Sequence, residues 1–369
     1  MFNLSPTRLH TLVEAFPALR IGVVGDFFLD SYRECDPALN EKSLETGKTC
    51  YQVIGSRRQP GAAGNVAANL RSLGVGAIEA VGYCGDDGEG YELRRAMRRL
   101  GLDLTGFRTA PGRLTPTYDK PCYVDGSQPG RPVIEELERL DSKNRCPTPI
   151  SLQRDLIAHV RQRLAQWDGL VLSDQVAEAN CGVLTTHVRR AIAAALGPRP
   201  KLVVLADSRT RIGLFQRAML KPNQREAWAA LGRQGSRSLE AARHHARVLS
   251  NQTGRPVFLT LGDRGILVAD GRAIEHVPAV RLAAPVDPVG AGDTCAAAIC
   301  AALAAGAELT EAAALACLAA SITAQQIGTT GTASPTELSR RLHLCQTAAP
   351  APGPPVAQTG LRAAAPRQR

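Results

Sequence analysis

A chain of 369 residues can hold one large α/β domain or two smaller ones, with ample apolar content for a buried core. Its formal charge of +10 suits anionic ligands such as nucleotides and sugar phosphates, while 4% aromatic residues leave little to stack on bases, so no nucleic-acid partner is expected. Ten cysteines are scattered without metal-ligand spacing, the start M-F-N-L-S-P-T-R lacks a secretory core, and no apolar run reaches the roughly 20 residues of a membrane span; a cytoplasmic protein with reduced thiols and no membrane partner is expected.

Ser5-Pro6 opens a short helix with Leu9, Leu12, Val13 and Phe16 on one side. Arg20 to Gly25 reads as the first buried strand, and its end delivers Asp26 and Asp30 in G-D-F-F-L-D. Ligands of open α/β sheets gather beyond the carboxyl ends of strands, so these acids are placed to bind hydroxyls; the plainer reading is a turn in which Asp26 bonds its own backbone. Residues 33–59 mix polarity without a long period, as strands of a small flap do. Lys42 to Thr49 ends like a Walker A loop, but Lys42 replaces the first glycine and no apolar strand precedes it, so that loop is rejected. Pro60 to Gly74, P-G-A-A-G-N-V-A-A-N-L-R-S-L-G, is a small-residue turn entering a helix with Val66, Leu70 and Leu73 inward. Gly61 allows close backbone approach, and Asn65 and Asn69, one turn apart, can both face a ligand; a cap for Asn65 and an exposed position for Asn69 are the plainer roles.

A strand at Ala77 to Gly82 leads to G-D-D-G-E-G, where Asp86 or Asp87 caps a helix with Leu93, Met97 and Leu100 buried and Arg94, Arg95, Arg98 and Arg99 solvated. Thr115 to Asp141 supplies short extended pieces that would join residues 33–59 in a lid. Its Lys120, Arg139 and Asp141 read as edge protection or as ligand contacts. Helices at Ser151 to Trp167 and Cys181 to Leu196 alternate with strands at Gly169 to Asp174 and Lys201 to Asp207, followed by a short strand at Met219-Leu220. This order argues a parallel sheet covered on both faces, with Asp174 and Asp207 at its ligand edge. In K-P-N-Q-R-E, Asn223 and Glu226 have capping-box spacing. Pro256 to Asp270 reads as two strands joined at G-D-R-G. In V-D-P-V-G-A-G-D, Val286 to Asp293, Gly290 and Gly292 leave room for a bound group, and the alanine-rich run that follows starts a helix whose free N–H groups can cradle an anion. Asp293 stands at the lip, as a reacting acid or merely a cap. A helix at Leu309 to Gln326 and a capping box at Ser334 to Glu337 complete the pattern. From Cys345 onward proline, alanine and arginine replace periodicity, as in a disordered tail.

D-P-V-G-A-G-D resembles the D-T-x-G-A-G-D signature of the ribokinase-like (PfkB) carbohydrate kinases, with Pro288 where Thr is usual. P-G-A-A-G-N-V-A looks like their P-G-G-A-A-N-V-A, with Ala62 and Gly64 exchanged against it. G-D-F-F-L-D, N-x-x-E and T-L-G-x-x-G at Thr260 to Gly265 complete an ordered set over about residues 20–340. The resemblance implies a three-layer α/β/α fold with a mostly parallel central sheet and a small β-strand lid. One kinase domain would cover residues 1–345, with lid segments at about 33–59 and 115–141, and the tail 346–369. Asp293 is implied as general base and Gly290, Ala291 and Gly292 as the anion hole. Asp26, Asp30, Gly61, Asn65, Asn69, Lys120 and Arg139 are implied on the sugar, and Asn223, Glu226, Thr260, Gly262, Gly265 and Asp287 beside ATP. Asn223 and Glu226 would arrange Mg²⁺ through phosphate and water, and a monovalent cation is a further candidate. A lid would exclude water from phosphoryl transfer, and its edges could pair two subunits into a homodimer.

Within that family, L-S-D at Leu172 to Asp174, the lid pieces and G-T-T-G-T followed by S-P-T-E-L look most like heptose 7-phosphate kinases. Those are often fused to a nucleotidyltransferase with an H-x-G-H motif, which does not occur in this sequence. The expected activity is ATP-dependent phosphorylation of a hydroxyl on a sugar or sugar phosphate. The alternative is a catalytically silent sugar or nucleotide sensor, which Ala62 and Pro288 keep open. A dinucleotide-dependent dehydrogenase is disfavoured because G-A-G-D-T-C lacks the third glycine of G-x-G-x-x-G.

Overall fold

Arg20–Gly25 becomes a central strand because both of its faces are covered: alternation sends Ile21 and Val23 into one apolar cluster and Val24 into another. The computed structural model describes residues 4–347, apart from 127, 131, 198–201, 233–234 and 237. Across its nine-stranded sheet the order is Ile274–Val277, Ile266–Ala269, Val257–Thr260, Met219–Leu220, Val203–Ser208, Gly169–Asp174, Arg20–Gly25, Ala77–Gly85 and Phe107–Ala110. Every neighbouring pair is parallel except the two at the Ile274–Val277 end, where the expected hairpin turns back. One face packs against the helices Pro6–Ala15, Ala63–Ser72, Ala291–Ala304, Leu309–Thr323 and Pro335–Thr347. The other is covered by Ile150–Arg163, Thr186–Leu196 and Leu239–Thr253. This is the expected three-layer α/β/α arrangement. The alanine-rich helices Ala291–Ala304 and Leu309–Thr323 lie side by side, with Ala296, Ala297, Ala312 and Ala316 fully buried. No helix among the described residues is long and apolar enough to cross a membrane.

A second sheet forms the lid. Phe27–Cys35 pairs antiparallel with Val53–Ala62 and parallel with Thr117–Val124, which also carries Val133–Glu136 and Leu140–Ser142. The first lid strand therefore starts at Phe27 and the second ends at Ala62, outside the expected 33–59. The apolar F-F-L of G-D-F-F-L-D is strand and not turn, because Phe27 pairs with Ala62 directly beyond the central strand. The Walker-like residues sit in an exposed small hairpin, Glu41–Lys42 with Thr49–Cys50.

Boundaries shift where a cap or an anchored loop decides them. Asp87, not Asp86, caps Gly88–Arg99 by accepting from the Gly90 N–H at 2.7 Å. The helix expected from Cys181 begins at Thr186, behind the hydroxyl of Thr185, and Ile150–Arg163 stops short of Trp167. The last helix runs past Cys345 to Thr347, so regular structure outlasts the loss of periodicity. The rest of the expected tail lies outside the described residues.

Candidate active site

Gly290 adopts φ 79°, in the left-handed region that favours glycine, and so turns the chain into Ala291–Ala304. Behind it Asp287 ties the loop down: its carboxylate accepts from the N–H groups of Val289 at 3.0 Å and Gly328 at 3.3 Å. The Ala291 N–H donates to Pro288 O at 3.1 Å, whereas those of Gly292 and Asp293 have no backbone partner among the described residues. Two free amides at a helix N-terminus favour an anion there.

Asp293 is half-buried, and its Oδ2 accepts from Asn65 Nδ2 at 3.2 Å. Burial, reinforced by the charge of Asp207, pushes its pKa up to about 7, against the pull of Lys221, the Asn65 hydrogen bond and Arg209. A carboxyl titrating near neutrality is suited to accepting a proton. Asn65 reaches it from the first turns of Ala63–Ser72, whose N-cap is Ala62 at φ 55°, so Asn65 is not the cap. Asn69 is buried rather than exposed, donating to Asn65 O at 2.9 Å and Gly331 O at 3.4 Å. It fixes the helix against the G-T-T-G-T segment.

Asp30 stands on the lid strand Phe27–Cys35. It is buried, with Oδ2 3.7 Å from Lys120 Nζ and Oδ1 without a hydrogen-bond partner among the described residues. A buried carboxylate oxygen left empty is costly unless a ligand fills it, and a sugar hydroxyl is a fitting donor. Burial raises the pKa of Asp30, opposed by Lys120, Arg139 and Arg209. A Cβ on Gly61 would lie 2.7 Å from the Asp30 carboxylate, so this glycine makes room for the acid. Gly61→Ala is expected to displace Asp30 and raise the acceptor KM about tenfold while ATP KM stays put, as steady-state kinetics would show. Lys120 is not edge protection: it is buried, 3.2 Å from the Tyr32 hydroxyl and 4.7 Å above that ring. Arg139 is more exposed, bonds Asp141 at 2.6 Å and covers the Tyr118 ring at 4.3 Å.

Asp26 departs from its expected role. Its carboxylate accepts from the backbone N–H groups of Gln175 at 2.8 Å, Val176 at 3.0 Å and Val183 at 2.6 Å. It therefore anchors the loop after Gly169–Asp174 and binds neither its own turn nor an open cleft. Burial and neighbouring Asp174 push its pKa up to about 6 against those bonds. Asp174 pairs with Arg211 at 2.7 Å.

In K-P-N-Q-R-E, Asn223 and Glu226 form a complete capping box: Asn223 Oδ1 accepts from the Glu226 N–H at 3.0 Å, and Glu226 Oε2 from the Asn223 N–H at 2.7 Å. Thr260 bridges to Asn223. Gly262 faces open space at φ 65°, whereas a Cβ on Gly265 would meet Val277 O at 2.1 Å, so Gly265 is needed for hairpin packing. Sequence reading passed over two cations. Lys221, directly before Pro222-Asn223, is buried with Nζ 3.2 Å from Asp207 Oδ1. Arg209, at the end of the Asp207 strand, bonds Gln175 Oε1 at 2.8 Å, and its charge acts on Asp30, Glu226 and Asp293 alike. The available signal was their place just beyond strand ends.

The charges of Asp207, Glu226 and Asp293 all act on the Lys221 ammonium, with Asp207 its ion-pair partner, so this is the acidic region that a divalent cation would approach. No three metal-ligating side chains among the described residues are close enough to hold one alone. Mg²⁺ would therefore be held largely by phosphate and water, with Asn223 and Glu226 as the candidate residues to order that shell.

The same fold occurs in known proteins. Residues 34–337 match the model of the pfkB family carbohydrate kinases. Proteins named bifunctional protein HldE from Gluconobacter oxydans and a Caulobacter species are 31% and 33% identical over 90% and 87% of this chain, which spans 66% and 62% of their length. Among solved structures, ribokinase from Thermotoga maritima superposes with TM-score 0.62 at 20% identity, over 88% of this chain and 99% of its own. Phosphofructokinase-2 from Escherichia coli, in complex with fructose-6-phosphate, gives 0.63 at 18% identity, over 89% and 99%. The class is that of phosphotransferases with a carbohydrate alcohol as acceptor. The chain belongs to the pfkB family of carbohydrate kinases.

Proposed function

We propose that this kinase transfers the γ-phosphoryl group of ATP to a hydroxyl of a sugar phosphate, with heptose 7-phosphate as the favoured acceptor. The observation that carries the reading is Asp293 at an anion-accepting helix end, supported by Asp30, whose buried Oδ1 on the lid has no hydrogen-bond partner among the described residues. The hydroxyl oxygen attacks the γ-phosphorus while its proton passes to Asp293. A new O–P bond forms, the bond from phosphorus to the bridging oxygen breaks, and that electron pair leaves on ADP. Asp30 Oδ1 accepts from a second sugar hydroxyl, and Lys120 favours its ionised form. The amides of Gly292 and Asp293 and the helix dipole stabilise charge on the transferred group. Mg²⁺, when bound, neutralises phosphate charge. Arg139 and Arg209, whose fields reach Asp30, support an acceptor that carries a phosphate, and the HldE relatives and the S-P-T-E-L region support a heptose.

ADP release measured across heptose 7-phosphate, ribose, fructose and their phosphates tests this. The highest kcat/KM is expected with heptose 7-phosphate; binding without turnover would identify a silent sensor instead. Deprotonated Asp293 is the active form, so kcat/KM should fall about tenfold per pH unit below about 7 and level off above it. A pH profile flat from 5.5 to 8 would exclude Asp293 as the base. We place the reaction in the cytoplasm and assign dimer pairing to the lid, where Ile134 and Leu140 are exposed.

A further inference from the structure

Lys221 joins the short strand Met219–Leu220 to the capped helix Gln224–Ala230, and its N–H donates to Ala206 O at 2.9 Å beside the residue that carries Asp207. The side chain is 4% exposed. An ammonium has three N–H donors. At 3.2 Å, Asp207 Oδ1 is the ion-pair partner, and no other acceptor contacts the ammonium among the described residues. Its Nζ lies 3.7 Å from where a Cβ on Gly292 would sit, beside the free amides of Gly292 and Asp293. A buried cation with donors to spare, next to two unpaired N–H groups at a helix end, is arranged for an anion from outside the chain.

We infer that Lys221 is a further catalytic residue: its ammonium donates to an oxygen of the phosphoryl group in flight and completes the hole formed by the Gly292 and Asp293 amides. Asp207 is its positioning residue. The inference rests on the kinase reading above. As the acceptor O–P bond forms and the bond to ADP breaks, the charge on the transferred oxygens meets a fixed cation, with no further reactant required. The charges of Glu226 and Asp293 both act on Lys221 as well.

The test compares Lys221→Met, Asp207→Asn and the double variant in the full chain. Lys221→Met should lower kcat about 10²- to 10³-fold, the effect of removing one anion-hole donor, with both KM values within about threefold. It should also abolish tight inhibition by ADP with aluminium fluoride, a mimic of the transferring phosphoryl group, while ADP alone still binds. Leaving Asp207 buried and unpaired could unfold the single variant, and the double variant removes that charge. The double variant should stay slow and stay insensitive to aluminium fluoride. Recovery of its kcat to within about threefold of wild type would mean that Lys221 only neutralises Asp207, and would overturn the inference. So would aluminium fluoride inhibition undiminished in Lys221→Met. A wild-type chain that releases no ADP with any acceptor overturns the kinase reading itself, a result distinct from slow variants of an active enzyme.

Discussion

Asp293→Asn is expected to lower kcat about 10²- to 10⁴-fold while ATP affinity stays within a few-fold. The amide matches the carboxylate in size and can still meet Asn65, but it cannot take the proton from the attacking hydroxyl. The free amides of Gly292 and Asp293 belong to the backbone and survive the change, so nucleotide phosphate keeps its seat. Single-turnover measurements with saturating acceptor would isolate the chemical step. A variant with wild-type turnover would remove Asp293 from the mechanism and leave it as a buried partner of Asn65.

The second large effect belongs to Asp30→Asn. A hydrogen bond to a charged group contributes about 1.5–3 kcal/mol, so replacing the empty Oδ1 should raise the acceptor KM roughly 10- to 150-fold. ATP KM should hardly move, because Asp30 lies on the lid, whereas the proposed nucleotide contacts Asn223 and Glu226 cap the helix Gln224–Ala230. The change also leaves the Lys120 ammonium buried without its carboxylate. A melting curve would therefore fall as well, and kinetics should be read at a temperature where the variant stays folded. Unchanged acceptor KM would show that Asp30 serves Lys120 alone.

Much of the fold was legible because its strands are short apolar runs between capped helices. Gly169–Asp174 and Met219–Leu220 fall where periodicity predicts them, and the N-x-x-E spacing yields a true capping box. The start of the lid was not legible, because F-F-L after Asp26 reads equally well as a turn leaving a strand; only pairing with Val53–Ala62 decides it. In the site, Asn65 contacts Asp293, and Gly61 lies against Asp30, two separate pairs drawn from the quoted motifs. Asp26 joins neither, because its partners are the backbone of a loop about 150 residues further along the chain, contacts that no local pattern encodes. For Lys120 the sequence left two readings open for a related reason: alternation along Thr117–Val124 gives its side but not the Tyr32 ring and Asp30 that wait there. Lys221 and Arg209 were hidden by composition, two among 44 basic residues.

Between the central strand Arg20–Gly25 and the lid strand Phe27–Cys35 there is a single residue, Asp26, clamped by three N–H groups. The two acids of the proposed reaction thus stand on different parts of the fold, Asp30 outboard of that pin on the lid strand and Asp293 on the helix Ala291–Ala304. Any swing about it carries the acceptor toward or away from the base, so sealing out solvent and bringing the reactants into line become one mechanical event rather than two.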